Sequence, residues 1–167
     1  EILNHIAFNA DKSFDAGIIE STYTIESLWA RDTTSSSQYM YGFVTSPHTA
    51  SVTAYLGGTW SRGNQSSSLT FNDKNQHYTR QYNANIDYDG STRAYSKSPA
   101  FTTANTLIVG GRRGSTGDAL ATFTGKIYYY RIYDGDTVIL EWQPCKRLSD
   151  GVEGFWDCVS QTFKEPL

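Results

Sequence analysis

The chain has 167 residues, with 14 Lys and Arg against 17 Asp and Glu for a formal net charge of −3. It therefore offers no basic field for a polyanion, and nucleic acid is not an expected partner. With 12 Tyr, 8 Phe and 4 Trp beside a mean hydropathy of −0.49, it fits one all-β domain whose polar, weakly charged surface suits sugars. No run approaches the roughly 18 apolar residues of a membrane-spanning helix, and the N-terminus lacks a signal-peptide pattern, so membrane insertion is not expected. The start at Glu1 rather than Met suggests a module, residues 1–167, cut from a larger protein.

Turn signals punctuate the chain from Asn9 to Asp11 onward, through Asp15 to Gly17, Ser46-Pro47, Gly57-Gly58, Arg62-Gly63-Asn64, Asp89-Gly90, Gly110-Gly111, Asp134-Gly135 and Asp150-Gly151. Between them lie short β-branched and aromatic runs, which predict strands over 2–8, 17–30, 38–45, 51–59, 68–71, 76–83, 85–88, 92–96, 106–110, 125–133, 137–144 and 154–159. About a dozen strands bury two inner faces most simply as a pair of packed antiparallel sheets. Asp134-Gly135 predicts a tight hairpin between the last long strands. Period-two alternation there puts Tyr128, Tyr130 and Ile132 on one face and Ile127, Tyr129, Arg131 and Tyr133 on the other.

That hairpin, Thr124-Gly125-Lys126-Ile127-Tyr128-Tyr129-Tyr130-Arg131-Ile132-Tyr133-Asp134-Gly135, followed by Gly151-Val152-Glu153-Gly154-Phe155-Trp156-Asp157, resembles the end of laminin-G-like, or concanavalin A-like, jelly-roll domains of bacterial and phage proteins. His5-Ile6-Ala7-Phe8-Asn9, Phe14-Asp15-Ala16-Gly17-Ile18 and Thr22-Tyr23-Thr24-Ile25-Glu26-Ser27 resemble their opening strands, and Asn85-Ile86-Asp87-Tyr88-Asp89-Gly90 their central hairpin. The middle, from about Thr33 to Asn75, matches weakly, and binding loops often sit in such regions. The resemblance implies a two-sheet jelly roll and an extracellular, secreted, cell-surface or virion-borne location within a larger protein.

The catalytic motifs of that fold are missing. Its glycosidases carry Glu-x-Asp-x-x-Glu on one strand, whereas Glu20 and Glu26 are six apart and Asp87 and Asp89 sit at a turn. His5, His48 and His77 stand beside no nucleophile elbow, and structural roles are expected for His5 and His77. A non-enzyme is expected, with a glycoside hydrolase built from carboxylates of separate strands as an alternative. Many laminin-G-like domains hold calcium, so calcium is the one cofactor the resemblance raises, with Asp87 and Asp89, or Asp134 and Asp136, each pair explained equally by turn chemistry. Cys145 and Cys158 match no zinc spacing and are either buried thiols in adjacent strands or a cross-strand disulfide; the resemblance favours thiols.

A glycan-binding module needs exposed rings for the C–H faces of sugars and polar groups for their hydroxyls. Trp142 and Trp156 fall where the family is apolar, so both are assigned to the core. Trp60, between Gly57-Gly58-Thr59 and Ser61-Arg62-Gly63, is expected at a strand end or loop and is the leading candidate. Tyr39 and Tyr41 share one face by alternation, as do Trp29 and Arg31, and together they can line one sheet; Tyr78, Arg80 and Tyr82 form a similar stripe. Arg112 and Arg113, in a glycine-rich loop with Asp118 nearby, are either a solvated pair or a rim that grips an acidic sugar or a hydroxyl array. The expected function is thus lectin-like binding of a glycan or polysaccharide, with a structural or protein-adhesion domain as the alternative and other domains of the parent protein as further partners.

Overall fold

The structure, a computed structural model, describes residues 1–34, 38–44, 51–95, 101, 105–114 and 119–167. Among these residues there are strands and no helix. In chain order they are β1 (Ile6–Asn9), β2 (Phe14–Ile18), β3 (Tyr23–Arg31), β4 (Tyr39–Phe43), β5 (Ser51–Tyr55), β6 (Thr59–Gly63), β7 (Gln65–Ser68), β8 (Gln76–Tyr82) and β9 (Asn85–Tyr88). They continue as β10 (Ser91–Ala94), β11 (Thr106–Val109), β12 (Gly111–Arg113), β13 (Ala119–Ala121), β14 (Thr124–Asp134), β15 (Thr137–Lys146), β16 (Glu153–Asp157) and β17 (Thr162–Lys164).

Nine strands form a larger sheet in the order β10-β9-β8-β3-β14-β15-β16-β17, with β1 also on β14; eight form a smaller one, β13-β12-β4-β5-β6-β7, with β11 joining β2 to β4. Pairing is antiparallel except for the short parallel contact of β12 with β4. The two sheets pack as a β-sandwich, the arrangement expected of a jelly roll, around one apolar core. Its rings interlock edge to face, as in Phe14 with Phe155 at 4.8 Å and Trp29 with Phe71 at 4.9 Å.

Polar groups also cross the core. Gln81 of the larger sheet donates to the Ser61 carbonyl of the smaller at 2.9 Å and accepts from the Tyr41 hydroxyl at 3.1 Å. Arg62, with no accessible surface, donates to the carbonyls of Ser21, just ahead of β3, and of Tyr23, its first residue. Burial lowers the pKa of its guanidinium, and burial raises those of the Tyr41, Tyr95 and Tyr130 hydroxyls. The bonds of Gln81, Tyr41 and Arg62 tie the sheets together, because a shift would strand those buried groups.

Several boundaries differ from the sequence reading. The expected strand 17–30 breaks at a turn, so β2 enters one sheet and β3 the other; 51–59 splits at Gly57-Gly58 into β5 and β6. The run 68–71 is largely not a strand: Leu69 and Phe71 are apolar because they plug the core from a loop. Asp89-Gly90 turns with φ of 45° and 81°, as a type I′ hairpin requires, whereas at the β14–β15 turn Gly135 alone is positive, at 57°. A bulge between Ile127 and Tyr129 breaks the alternation on β14. Ile127 therefore joins Tyr130 and Ile132 in the core, and Tyr128 lies outside against His5.

Candidate functional site

The outer face of the smaller sheet carries the most site-like arrangement. On β5, Val52 and Ala54 enter the core, which leaves Ser51, Thr53 and Tyr55 on the other side; on β6, Trp60 and Arg62 enter it and leave Thr59 and Ser61. Tyr39 on β4 pairs across from Tyr55, and their rings lie 4.6 Å apart at 36°. Arg112 on β12 places its guanidinium 4.8 Å from the Tyr39 ring centre. Together with the β6–β7 hairpin at Asn64 and Gln65, these side chains surround an open groove of about 350 Å³. Among the described residues Arg112 is its one charged lining residue; the others are hydroxyl, amide or aromatic side chains with Val44 and Gly63.

The structure sorts the expected ligand residues into two groups. Tyr39 and Arg112 meet in this groove. Trp60 does not reach it: it is an inward residue of β6, fully buried against Tyr41 and Phe71, and no sugar can lie on its ring. Tyr41 is also fully buried, because a bulge between Tyr39 and Tyr41 shifts the register and turns the second tyrosine into the core. Trp29 and Arg31 do share a face, but it is the inner face of β3: Trp29 donates to Thr79 Oγ1 at 3.1 Å, and Arg31 donates to the carbonyls of Thr33 and Phe71. Arg113 turns away from Arg112 and pairs with Asp15 at 3.2 Å, since neighbours on a strand point to opposite sides. The expected glycine-rich loop is thus strand β12, and Asp118 and His48 lie outside the described residues.

Tyr55, Thr53, Ser61 and Thr59 are groove residues the sequence reading passed over. Their signal was the strict alternation of Ser51-Val52-Thr53-Ala54-Tyr55 and of Thr59-Trp60-Ser61-Arg62, in which Val52, Ala54, Trp60 and Arg62 face inward and the hydroxyl-bearing residues between them face out.

The larger sheet has an aromatic outer face of a different kind. Glu26, 9% exposed, accepts from the Tyr78 hydroxyl at 3.2 Å and the Tyr133 hydroxyl at 3.4 Å and lies 3.5 Å from Arg131. Arg131 continues to Glu141 with Nε and Nη2 at 3.0 and 2.6 Å from one carboxylate oxygen. Burial and the Glu26 charge push Tyr78 up to about 12 and also raise Tyr129. Glu26 is accordingly a largely buried acceptor rather than a solvated acid. Tyr78, Arg80 and Tyr82 do form a stripe here, and Arg80 lies 5.3 Å from the Tyr82 ring centre.

His77 is structural as expected, 6% exposed, with Nδ1 2.6 Å from Asp89 and Nε2 3.0 Å from Asp73. Asp89 also accepts from the Tyr78 amide, and Asp87 accepts from the Tyr82 and Thr92 hydroxyls. These carboxylates serve protein donors, and among the described residues no three acidic, His or Cys side chains gather into one cluster. Cys145 and Cys158 are free, half-buried thiols, whose pKa values burial raises. Trp142 is core as expected, but Trp156 is 41% exposed and lines an apolar hollow of about 600 Å³ with Ile2, Pro144, Cys145 and Phe163.

No family model matches the sequence, and no curated protein matches it.

Proposed function

We propose that the chain is a non-catalytic, lectin-like module of concanavalin A-like type that binds a glycan across the outer face of its smaller sheet. The observation that carries this reading is the Tyr39–Tyr55 pair set among Ser, Thr, Asn and Gln in a groove of about 350 Å³. Aromatic faces cover sugar C–H groups, and hydroxyls and amides replace hydroxyl hydration; that volume lies in the range of small-ligand sites. A non-enzymatic role is supported by the lack of a carboxylate among the described residues that line the groove and by the joint engagement of Glu26 and Glu141 by Arg131. The resemblance extends the proposal to an extracellular or virion-borne location within a larger bacterial or phage protein.

The test is a screen of the purified chain on plant, microbial and mucin-type glycans, with Tyr55→Ala beside it. Saturable binding to one glycan class, weakened at least tenfold in the variant, is the expected result. Binding to no glycan removes the reading. A structural or protein-adhesion role is then favoured by the apolar hollow around Ile2, 82% exposed, and Trp156, 41% exposed.

A further inference from the structure

We propose that the saccharide taken by this groove is anionic, with a carboxylate or sulfate group held by Arg112. The inference rests on the glycan-binding reading above and narrows its ligand class. Among the described residues Arg112 is the one charged residue lining the groove. Its guanidinium is lodged 4.8 Å from the Tyr39 ring centre, and among the described residues no carboxylate pairs with it. Its neighbours in kind behave otherwise: Arg113 pairs with Asp15 at 3.2 Å, Arg131 with Glu141 at 2.6 Å and Arg147 with Asp150 at 2.5 Å.

A guanidinium resting against a ring keeps its in-plane N–H donors for another acceptor, and that planar fork matches the paired oxygens of a carboxylate or sulfate. Tyr39 holds the side chain in place, so less rotamer freedom is lost when the anion arrives. The chain is acidic overall, at −3. A lone positive site in such a protein selects for an anion by local contact rather than through a broad basic field.

Two matched pairs of polymers test this: polygalacturonate against its methyl ester, for carboxylate, and dextran sulfate against dextran, for sulfate. Wild type, Arg112→Gln and Tyr55→Ala are titrated with each, beside Arg93→Gln, which removes an exposed arginine of β10 on the other sheet. In at least one pair the anionic member is expected to bind tenfold or more tighter than the neutral one. Arg112→Gln abolishes that preference, Tyr55→Ala weakens binding to the same polymer, and Arg93→Gln changes neither. Equal binding of neutral and anionic members overturns the anionic inference while leaving glycan binding intact. Equal losses in Arg112→Gln and Arg93→Gln overturn it as well, since they show unspecific charge attraction, and no binding to any polymer or to the glycan screen removes both readings.

Discussion

The two outer faces of the sandwich carry similar residues and use them differently. On the larger sheet Glu26 gathers the hydroxyls of Tyr78 and Tyr133 and the guanidinium of Arg131, which also holds Glu141, so charges and donors satisfy one another across β8, β3, β14 and β15. On the smaller sheet Tyr39, Tyr55 and Arg112 stack among hydroxyls and amides, with no carboxylate among the described residues that line the groove. A surface rich in tyrosine and arginine is therefore not by itself a binding site. What distinguishes one is hydrogen-bonding capacity that the fold does not consume, because a ligand gains little from groups it must first pull away from their partners.

The largest effect should come from Trp60, which lies beneath the groove rather than in it. Trp60→Ala is expected to destabilise the chain by about 3–5 kcal/mol, since a fully buried indole leaves a cavity between the sheets. Urea unfolding measures this, and a loss below about 1 kcal/mol would return Trp60 to the surface role first expected of it. Next comes Glu26→Ala on the opposite face, expected to cost about 2 kcal/mol because two tyrosine hydroxyls and Arg131 lose a largely buried acceptor. Glycan affinity should be unchanged in that variant; a parallel loss of binding would mean that the larger sheet, not the smaller, meets the ligand.

The fold was legible in the sequence and the groove only in part, for one physical reason. Strands announce themselves by alternation and by turns such as Asp89-Gly90, both of which are local. Which side of a strand faces the partner sheet depends on register, and a single bulge reverses it. The bulge between Tyr39 and Tyr41 separates two residues that alternation places together, and the one between Ile127 and Tyr129 exchanges Ile127 with Tyr128. Trp60 was misplaced for another reason: glycines on both sides suggested a loop, although Thr59-Trp60-Ser61-Arg62 alternates as an inward-facing strand should. Arg62 obscures that pattern, since a charged residue without accessible surface is rarely expected.

Alkali should probe the larger sheet's outer face together with the layer between the sheets. Of the 12 tyrosines, Tyr78, Tyr82 and Tyr129 on the larger sheet and Tyr41, Tyr95 and Tyr130 in the interior have raised pKa values, in each case chiefly through burial. A tyrosine whose folded pKa lies above its unfolded value stabilises the fold fully below the unfolded pKa, near 10, and loses that contribution as pH rises through the folded one. For Tyr78 the window runs from about 10 to about 12. Absorbance at 295 nm against pH, followed together with circular dichroism, should therefore show part of the phenolate signal arriving only as the sandwich unfolds. Complete titration near pH 10 with the fold intact would show that these hydroxyls are open to water.

The smallest effect is the most discriminating. Arg131→Gln removes a link between Glu26 and Glu141 and should lower stability by about 1 kcal/mol, a modest figure because a side chain 35% exposed is screened by solvent. Among the described residues Arg112→Gln removes a contact with the Tyr39 ring and no ion pair, and it should change stability by about 0.5 kcal/mol or less. Thermal unfolding of the two variants under one set of conditions compares them directly. If Arg112→Gln proves the costlier change, that arginine is part of the scaffold and the contrast between the faces fails. If it is nearly neutral, the fold does not need the arginine that lines its groove, so any loss of ligand binding in that variant is loss of a contact to the ligand rather than of the structure that presents it.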